Sequence, residues 1–477
     1  MAADVKFGNE LFSPHHLLYT ATIYVIEQIT HIQNILGLGM FCNAVFALLS
    51  LIVLFRILNL LSTNGVKNLL LIAAVAFSFG FWRFATENET YITPIFFSLL
   101  GSFYFIKAFK EGNSSSKYIL LSGLFATIAC LYHQIHIFWL IGLFFGWIFI
   151  DNSLSFKRGL VFAASFLIAP LCYFLTIIFY LHQNLNWYNI THFVFHDYYI
   201  GAAGNHFGLN NIFLGGINFI RTFFQVHGQM WVIVSMHSLW LLPGILALGL
   251  ILFAIVQIFR RVDLTTFKKL SNLHIIAQVH ILIFLLQLAF AIYNIGNAEF
   301  MVMLPVLGAV IIANSKLMPS KSLIYFSLSL LIWNFTYGIF PNNHFHFNAN
   351  DKVTQFIIDH PNDKFVVAEP AIVFNQYYYQ KGHWPDNCWA GPGYYELHGT
   401  LEELAYKIDS ALSKCNVYTD CTGIPKVTSR ETMTYQSGMF WIMGYPNQDI
   451  VAVFNTDGEA HEIFKIKQNS IHNQKVF

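Results

Sequence analysis

Residues 34–58 read NILGLGMFCNAVFALLSLIVLFRIL. The one formally charged side chain in this stretch is Arg56, close to its end. About 20 apolar residues are enough for a helix to cross the hydrocarbon core of a bilayer. The stretch therefore predicts a membrane-spanning helix, and the fold class of the whole chain depends on how often such stretches recur.

Apolar stretches of this kind recur along most of the 477-residue chain, which is 56% hydrophobic and 11% charged, with a mean hydropathy of +0.53. Soluble domains carry roughly 25% charged residues. We expect an all-α polytopic membrane bundle of about ten transmembrane helices. The approximate bounds of the ten spans are 34–58, 67–83, 92–109, 117–132, 137–150, 159–180, 232–258, 275–293, 300–315 and 322–340.

The connections between these spans differ in charge. Alternate connections carry thirteen Lys and Arg residues, whereas the other set carries three: Lys6, Arg83 and Arg221. Because positive loops remain in the cytoplasm, the second set is predicted to face the periplasm or the ER lumen. Acids and histidines concentrate on that outer side, and the balanced net charge of +1 speaks against a nucleic-acid partner.

Residues 346–477 have a different character, with a net charge of −5 against +6 for residues 1–345. The sequence predicts helices at DKVTQFIIDH and LEELAYKIDSAL, and strands at KFVVAEP, CNVYTDC and IVAVFNT. We therefore expect three parts. They are a partial first outer loop with an interfacial helix (1–33), a transmembrane domain (34–345) and a small extracytoplasmic α/β domain (346–477).

The six cysteines form two groups. Cys42, Cys130 and Cys172 lie in apolar stretches, where packing is the expected role. Cys388, Cys415 and Cys421 lie in the polar tail. If the tail faces an oxidising compartment, one pair of these three is a candidate disulfide.

The segment RFATENETY (83–91) places Glu87 and Glu89 on the outer side between two apolar stretches. Two nearby carboxylates repel each other, so one pKa is expected to rise. Such a pair can act as acid and base, bind a hydroxylated acceptor or hold a divalent ion. The alternative is a pair of exposed turn acids.

Histidines provide a second group of candidates. In SPHHLLYT, His15 and His16 are placed at the start of a short surface helix, where an anion such as phosphate would be favoured. An aromatic and histidine interface anchor is an equal alternative. His133 and His136 have i, i+3 spacing, which predicts a shared helix face lining a polar cavity.

Three further outer residues are candidates. Glu299 precedes an apolar span and can cap a helix or bind a sugar hydroxyl. Arg221 suits a lipid phosphate together with Arg83, with snorkelling to headgroups as the alternative. Asp197 lies in the long aromatic stretch 181–231, whose part GINFIRTFFQVHGQMW resembles an interfacial helix anchored by Trp231.

Four segments together resemble the GT-C superfamily of integral-membrane glycosyltransferases over roughly residues 1–340. The segments are NELFSPHHLLY, FWRFATENETYITP, LYHQIHIFW and NAEFMVMLP. The likeness is greatest to the polyprenyl- or dolichyl-phosphate-mannose-dependent branch, which includes the protein O-mannosyltransferases and the lipid A aminoarabinose transferases. It lies in architecture and loop position rather than in one diagnostic motif.

The resemblance implies a hexosyltransferase that moves a mannose-like sugar, with inversion and without a metal cofactor, from a polyprenyl phosphate to a hydroxyl on a protein, glycan or lipid acceptor. It implies a first-loop acid as general base, for which Asp4 and Glu10 are candidates, and it matches Glu87 and Glu89 to a second-loop acid. Arg83, Arg221, His15 and His16 would bind the donor phosphate. His133, His136, Asp197 and Glu299 would bind substrate.

The same resemblance has a consequence for the chain's start and location. Family members begin in the cytoplasm with a span before the catalytic loop, whereas the charge rule places Met1 outside. We therefore expect the chain to begin within the first outer loop, and to be inactive if the catalytic acid lies upstream. The expected location is a bacterial inner membrane with the tail in the periplasm, or an ER membrane with a lumenal tail.

Two other functions fit a polytopic chain. A secondary transporter would have broken, polar helices at mid-membrane and a repeat between its halves, and neither is evident in the sequence. A metal-dependent oligosaccharyltransferase is closer, because the ENE triplet can hold a divalent cation. Sensitivity of transfer to EDTA distinguishes this alternative.

Overall fold

The computed structural model describes residues 1–112, 115–149, 155–199, 207–226, 229–260, 275–294, 298–313, 318–421, 443–445, 449–457 and 460–467. The chain divides into two compact units. The first comprises Met1–Val226 and Leu241–Ile339, and the second comprises His227–Trp240 and Phe340–Phe477.

The first unit is helical, as expected for stretches with so few charged side chains. Its α-helices are Ala2–Phe7, Tyr19–Thr30, Ile35–Leu61, Gly65–Ala76, Phe79–Thr86, Ile92–Glu111, Ser116–Tyr132, Ile137–Phe149, Phe156–Phe166, Ile168–Leu175, Trp187–Val194, His196–Tyr199, Leu209–Phe223, Leu241–Phe259, Ile275–Tyr293, Leu304–Ala313 and Ser320–Asn334. Short 3-10 turns at Pro14–His16, Gln134–His136 and Ala298–Met301 precede helices. The large side chains of Phe105, Trp139 and Trp147 are fully buried in its core.

Within the described residues, six helical segments are long and apolar enough to cross a membrane. They are Ile35–Leu61, Ile92–Glu111, Phe156–Tyr180, Ser238–Phe259, Ile275–Tyr293 and Ser320–His344. The apolar helices Ser116–Tyr132, Gln134–Phe149 and Ala298–Ala313 coincide with three more predicted spans but are shorter. The chain is a multi-pass integral membrane protein. The predicted number of about ten spans is not confirmed, because only six helical segments in the described residues are long enough.

One predicted span has a different form from the one expected. Instead of a single helix over 67–83, Gly65–Ala76 and Phe79–Thr86 meet at 63°. The backbone of Ser78 is extended, and its hydroxyl donates to the carbonyl of Val75 at 2.7 Å. Asn334 donates to the carbonyl of Phe77 at 2.7 Å, so the break leaves this carbonyl satisfied.

The predicted interfacial helix is also shifted along the chain. The structure has a helix at Leu209–Phe223, after which Phe224 is extended, and Trp231 lies in a separate helix at Gln229–Met236. The face of the Leu209–Phe223 helix that packs inward carries Asn211, Asn218 and Thr222. Its outward face is apolar, as suits contact with lipid.

The second unit contains a five-stranded sheet. Its strands are β1 (Lys364–Val367), β2 (Cys388–Ala390), β3 (Val417–Thr419), β4 (Asp449–Asn455) and β5 (Ala460–Lys465), in the order β2-β1-β3-β5-β4. β1 is parallel to β2 and β3, whereas β5 is antiparallel to β3 and β4. The helices of this unit are Gln229–Met236, Phe340–His344, Asn350–Asp359, Pro370–Lys381, Pro392–His398 and Leu401–Leu412.

The helices and strands predicted in the tail are confirmed at 350–359, 401–412 and the positions of β1, β3 and β4. The structure contains no tail disulfide, since all six cysteines are free in it. Cys388 lies on β2 and Cys421 follows β3, on either side of β1. Their strands are separated by two strand spacings of about 4.8 Å each, and the total exceeds the roughly 7 Å limit for two Cα atoms joined by a disulfide.

Candidate active site

The segment after the Phe79–Thr86 helix forms the centre of the candidate site. Glu87 is extended, and Nε of Arg83 donates to both of its carboxylate oxygens at 2.9 and 3.0 Å. The two Nη groups of Arg83 have no hydrogen-bond partner among the described residues. Arg83 is therefore oriented by Glu87 but keeps its outer donors for an anion.

Glu89 is in a different environment from Glu87. Its carboxylate is half-buried and has no hydrogen bond or ion pair to a described residue. Burial, followed by the charges of Glu299 and Glu87, raises the pKa of Glu89 to about 7. A general base works best when its pKa lies near the working pH. The pair predicted from the sequence is thus two acids in different environments.

Glu299 belongs to a part of the chain that is distant in sequence from Glu87 and Glu89. Its Oε2 accepts a 2.8 Å hydrogen bond from the hydroxyl of Tyr91. The ring of Tyr91 lies 5.0 Å from those of Phe84 and His133, measured between centroids. Burial and then the Glu299 charge raise the pKa of Tyr91, so its hydroxyl stays protonated and remains a donor.

Arg83 and Arg221 line one small cavity of about 60 Å³ with Glu299 and Thr222. Nη1 of Arg221 donates to Asn218 at 3.1 Å. One water molecule needs roughly 15 Å³ of cavity volume. This cavity is several times larger and is comparable in size to a phosphate group. Two guanidinium groups around it favour an anion.

Asn334 holds together the two helices that carry these arginines. Its Nδ2 donates to the carbonyls of Phe77 and Phe223, each at 2.7 Å, and its Oδ1 accepts from the backbone N–H of Gln225 at 2.9 Å. Phe77 precedes the helix of Arg83, and Phe223 ends the helix of Arg221. The spacing of the arginines therefore depends on a completely buried amide.

The acids of the first segment are placed differently. Asp4 forms a 2.8 Å ion pair with the amino group of Met1. The charge of Asp4 acts on His16, and the amino group of Met1 acts on Glu89. Glu10 is exposed, has a positive φ of 41°, and makes no hydrogen bond or ion pair to a described residue.

The short helix predicted after Pro14 is present, but it begins at Tyr19, so the two adjacent histidines precede it and the prediction that they lie at its start is wrong. They form a three-residue turn, Pro14–His16, which precedes the separate helix Tyr19–Thr30. Nε2 of His15 contacts Asp197 at 3.0 Å, and Nδ1 of His16 is buried without a partner among the described residues. Burial lowers the pKa of both, that of His16 to about 4, so neutral imidazoles are expected at pH 7.

His133 and His136 do not share a helix face, and this prediction is wrong. The backbone of His133 is extended, and its ring faces Tyr91. Nδ1 of His136 instead contacts the hydroxyl of Ser98 at 2.7 Å within the bundle. The break at His133 turns the two rings towards different surroundings.

The structure therefore brings together five of the candidates from the sequence: Arg83, Glu87, Glu89, Arg221 and Glu299. Arg83, Arg221 and Glu299 line the cavity, Glu87 is bonded to Arg83, and Glu89 is affected by the charge of Glu299. The His15–Asp197 pair and Glu10 are not part of the lining, and His136 is buried in the interior. Sequence reasoning missed Asn43, which is completely buried and donates to the carbonyls of Glu87 and Glu89. A lone amide inside an apolar span was the available signal.

A divalent ion needs several oxygen ligands. The described part of the chain has no group of three or more His, Cys, Asp or Glu side chains arranged to hold a metal. Both carboxylate oxygens of Glu87 already accept from Arg83.

The structure is similar to solved membrane-protein structures. ArnT from Cupriavidus metallidurans in the apo state gives a TM-score of 0.41 at 9% identity, over 97% of this chain and 91% of that chain. ArnT bound to undecaprenyl phosphate gives 0.40 at 10% identity, over the same shares. The Archaeoglobus fulgidus oligosaccharyltransferase in complex with Zn and sulfate gives 0.39 at 11% identity, over 94% of this chain and 64% of that chain.

Both neighbours are membrane glycosyltransferases of the GT-C superfamily. This is the group that the sequence resembles. No protein-family model and no curated protein matches the sequence.

Proposed function

We propose that this chain is a membrane glycosyltransferase that moves a sugar from a polyprenyl phosphate to an acceptor hydroxyl. One observation carries the proposal. Arg83 and Arg221 border the same phosphate-sized cavity as Glu299, and the unpaired, partly buried Glu89 lies within electrostatic reach of that carboxylate. Such a site can hold a leaving phosphate and accept a proton.

Each residue then has a defined role. The acceptor oxygen attacks the anomeric carbon, and the bond from that carbon to the phosphate oxygen breaks. Ionised Glu89 takes the hydroxyl proton as general base. Arg83 and Arg221 stabilise the negative charge on the departing lipid phosphate. Glu299, held by Tyr91, accepts a hydrogen bond from a sugar hydroxyl.

The finer features follow from this arrangement and from the sequence resemblance. Attack opposite the leaving phosphate inverts the anomeric configuration. The sugar is mannose-like, and the lipid is of the class of the undecaprenyl phosphate bound to ArnT. Because the carboxylate of Glu87 already forms an ion pair with Arg83, we propose that transfer needs no metal ion. The reaction takes place on the periplasmic or lumenal face, where the charge rule places the segment 83–91.

The decisive assay measures transfer of labelled mannose from polyprenyl phosphate by purified protein in lipid vesicles. We expect transfer by the wild type that EDTA does not reduce, and a fall of about 10²-fold or more for Glu89→Gln. Glu27→Gln is the control, because the carboxylate of Glu27 has a hydrogen bond only to the neighbouring Gln28 among the described residues. Equal rates for Glu89→Gln and wild type would overturn the assignment, and abolition by EDTA would favour a metal-dependent enzyme.

A further inference from the structure

The segment that carries Glu89 rests on one face of a membrane helix. Nδ2 of Asn43, in the Ile35–Leu61 helix, lies 2.8 Å from the carbonyl oxygen of Glu87 and 2.6 Å from that of Glu89. An amide group has two N–H donors. Both main-chain carbonyls that flank Asn88 are thus held by a single side chain.

The residue between these carbonyls is held as well. The hydroxyl of Tyr19 donates to Oδ1 of Asn88 at 3.2 Å, and its oxygen lies 3.1 Å from Nδ2 of Asn43, so the two N–H groups of this amide are shared among three acceptors. The hydroxyl of Thr93 donates to Oδ1 of Asn43 at 3.4 Å, which orients the amide. Three consecutive residues therefore have fixed partners.

Gly39 provides an independent observation on the same helix face. It lies one turn before Asn43, and a Cβ atom there would come within 2.0 Å of Oδ1 of Asn88. Since side chains at i and i+4 lie on one face, Gly39 gives the segment room at the point where Asn43 binds it.

We propose that Asn43 is a positioning residue that, with the space left by Gly39, fixes Glu89 in its partly buried place beside Glu299. An unpaired amide inside a membrane bundle is costly, and these contacts satisfy the amide of Asn43 within a largely apolar span. The kinetic part of this inference rests on the proposed function.

The position of Glu89 determines its ionisation. The groups that act on it or share its surroundings are Glu299, Glu87, Arg83, the amino group of Met1, Tyr19 and Tyr91. Burial is the largest cause of its raised pKa. Release of the segment would expose the carboxylate, and its pKa would fall towards the ordinary value for glutamate.

The test uses full-length Asn43→Leu and Gly39→Ala in lipid vesicles, with donor KM, kcat and the pH–rate profile measured. We expect kcat to fall at least tenfold, the rising limb of the profile to move down by about one pH unit or more, and donor KM to stay within twofold. Asn68→Leu and Gly249→Ala are matched controls. Asn68 is also completely buried and donates to Asn59 and Ser62, and a Cβ at Gly249 meets open space.

Hydrogen–deuterium exchange of residues 87–91 gives a readout that is independent of activity. We expect it to accelerate at least tenfold in Asn43→Leu and Gly39→Ala and to stay at the wild-type rate in both controls. Wild-type exchange, or an unmoved rising limb, in these two variants would overturn the positioning role. If the wild type transfers no sugar, the proposed function fails, and the exchange rates still decide whether Asn43 holds the segment.

Discussion

The hydroxyl of Tyr91 donates to Oε2 of Glu299 at 2.8 Å, although 208 residues separate them. This hydrogen bond links the acid-bearing segment 87–91 to the turn Ala298–Met301. It fixes the carboxylate of Glu299 near Glu89, whose pKa Glu299 helps to raise. In the proposed function, Glu299 holds the substrate and Glu89 takes the proton.

The pH dependence of transfer tests the role of Glu89. A base must be ionised, so with a pKa of about 7 the rate should rise with pH up to about pH 7 and then level off. Below that point it should fall about tenfold for each pH unit. The measurement is kcat/KM from pH 5 to pH 9, with a fluorescence check that the protein stays folded. A flat profile in this range would contradict the assignment.

Arg83 is expected to bind the donor phosphate. Removal of a hydrogen bond to a charged group costs about 1.5–3 kcal/mol, so Arg83→Ala should lower kcat/KM for the donor by roughly ten- to a hundredfold. Arg83→Lys should recover only part of this loss, because lysine lacks the planar fork. Arg56→Ala changes an exposed arginine elsewhere and should have no effect. An unchanged donor kcat/KM in Arg83→Ala would place the phosphate elsewhere.

Asn334 is expected to act on donor binding through the arginines. Asn334→Leu removes both bonds to the carbonyls of Phe77 and Phe223. The spacing of Arg83 and Arg221 should change, and donor KM should rise at least about fivefold while the Glu89-dependent limb of the pH profile stays in place. A shifted limb with unchanged KM would show that this amide supports the base instead.

Lys67 is expected to contribute to stability alone. Its Nζ donates to the carbonyls of Ile312 and Ala313 at 2.9 and 3.0 Å, at the end of the Leu304–Ala313 helix. Lys67→Met leaves two carbonyls without this donor, and an unsatisfied buried group costs about 1–3 kcal/mol. We expect a lower Tm in detergent, compared with Lys117→Met, which alters an exposed lysine. Equal Tm values would show that water replaces the ammonium group.

The cysteines give a simple chemical test of the sheet topology. Since all six are free, alkylation of the unfolded protein without reductant should modify every one of them. Mass spectrometry counts the added groups. A pair that resists alkylation until reductant is added would contradict the free state of the cysteines. If that pair were Cys388 and Cys421, it would also contradict their separation across β1.

Local patterns in the sequence determined the class of the fold. Long apolar stretches can satisfy their backbone in a membrane only as helices, so Ile35–Leu61 and Ile275–Tyr293 could be read directly. The alternation of short β-branched and amphipathic segments determined β1 and the Leu401–Leu412 helix in the same way. Glu87 and Glu89 were found because charged side chains between apolar stretches are rare.

Contacts between distant segments were decided only by the tertiary structure. No spacing in the sequence relates Glu299 to Tyr91, or Arg221 to Arg83, because packing joins them across more than 130 residues. The break at Ser78 depends on a hydrogen bond from Asn334. Burial raises the pKa of Glu89, whereas Glu87 is bound to Arg83. Desolvation and charge act through space rather than along the chain, so the sequence could not assign these two environments.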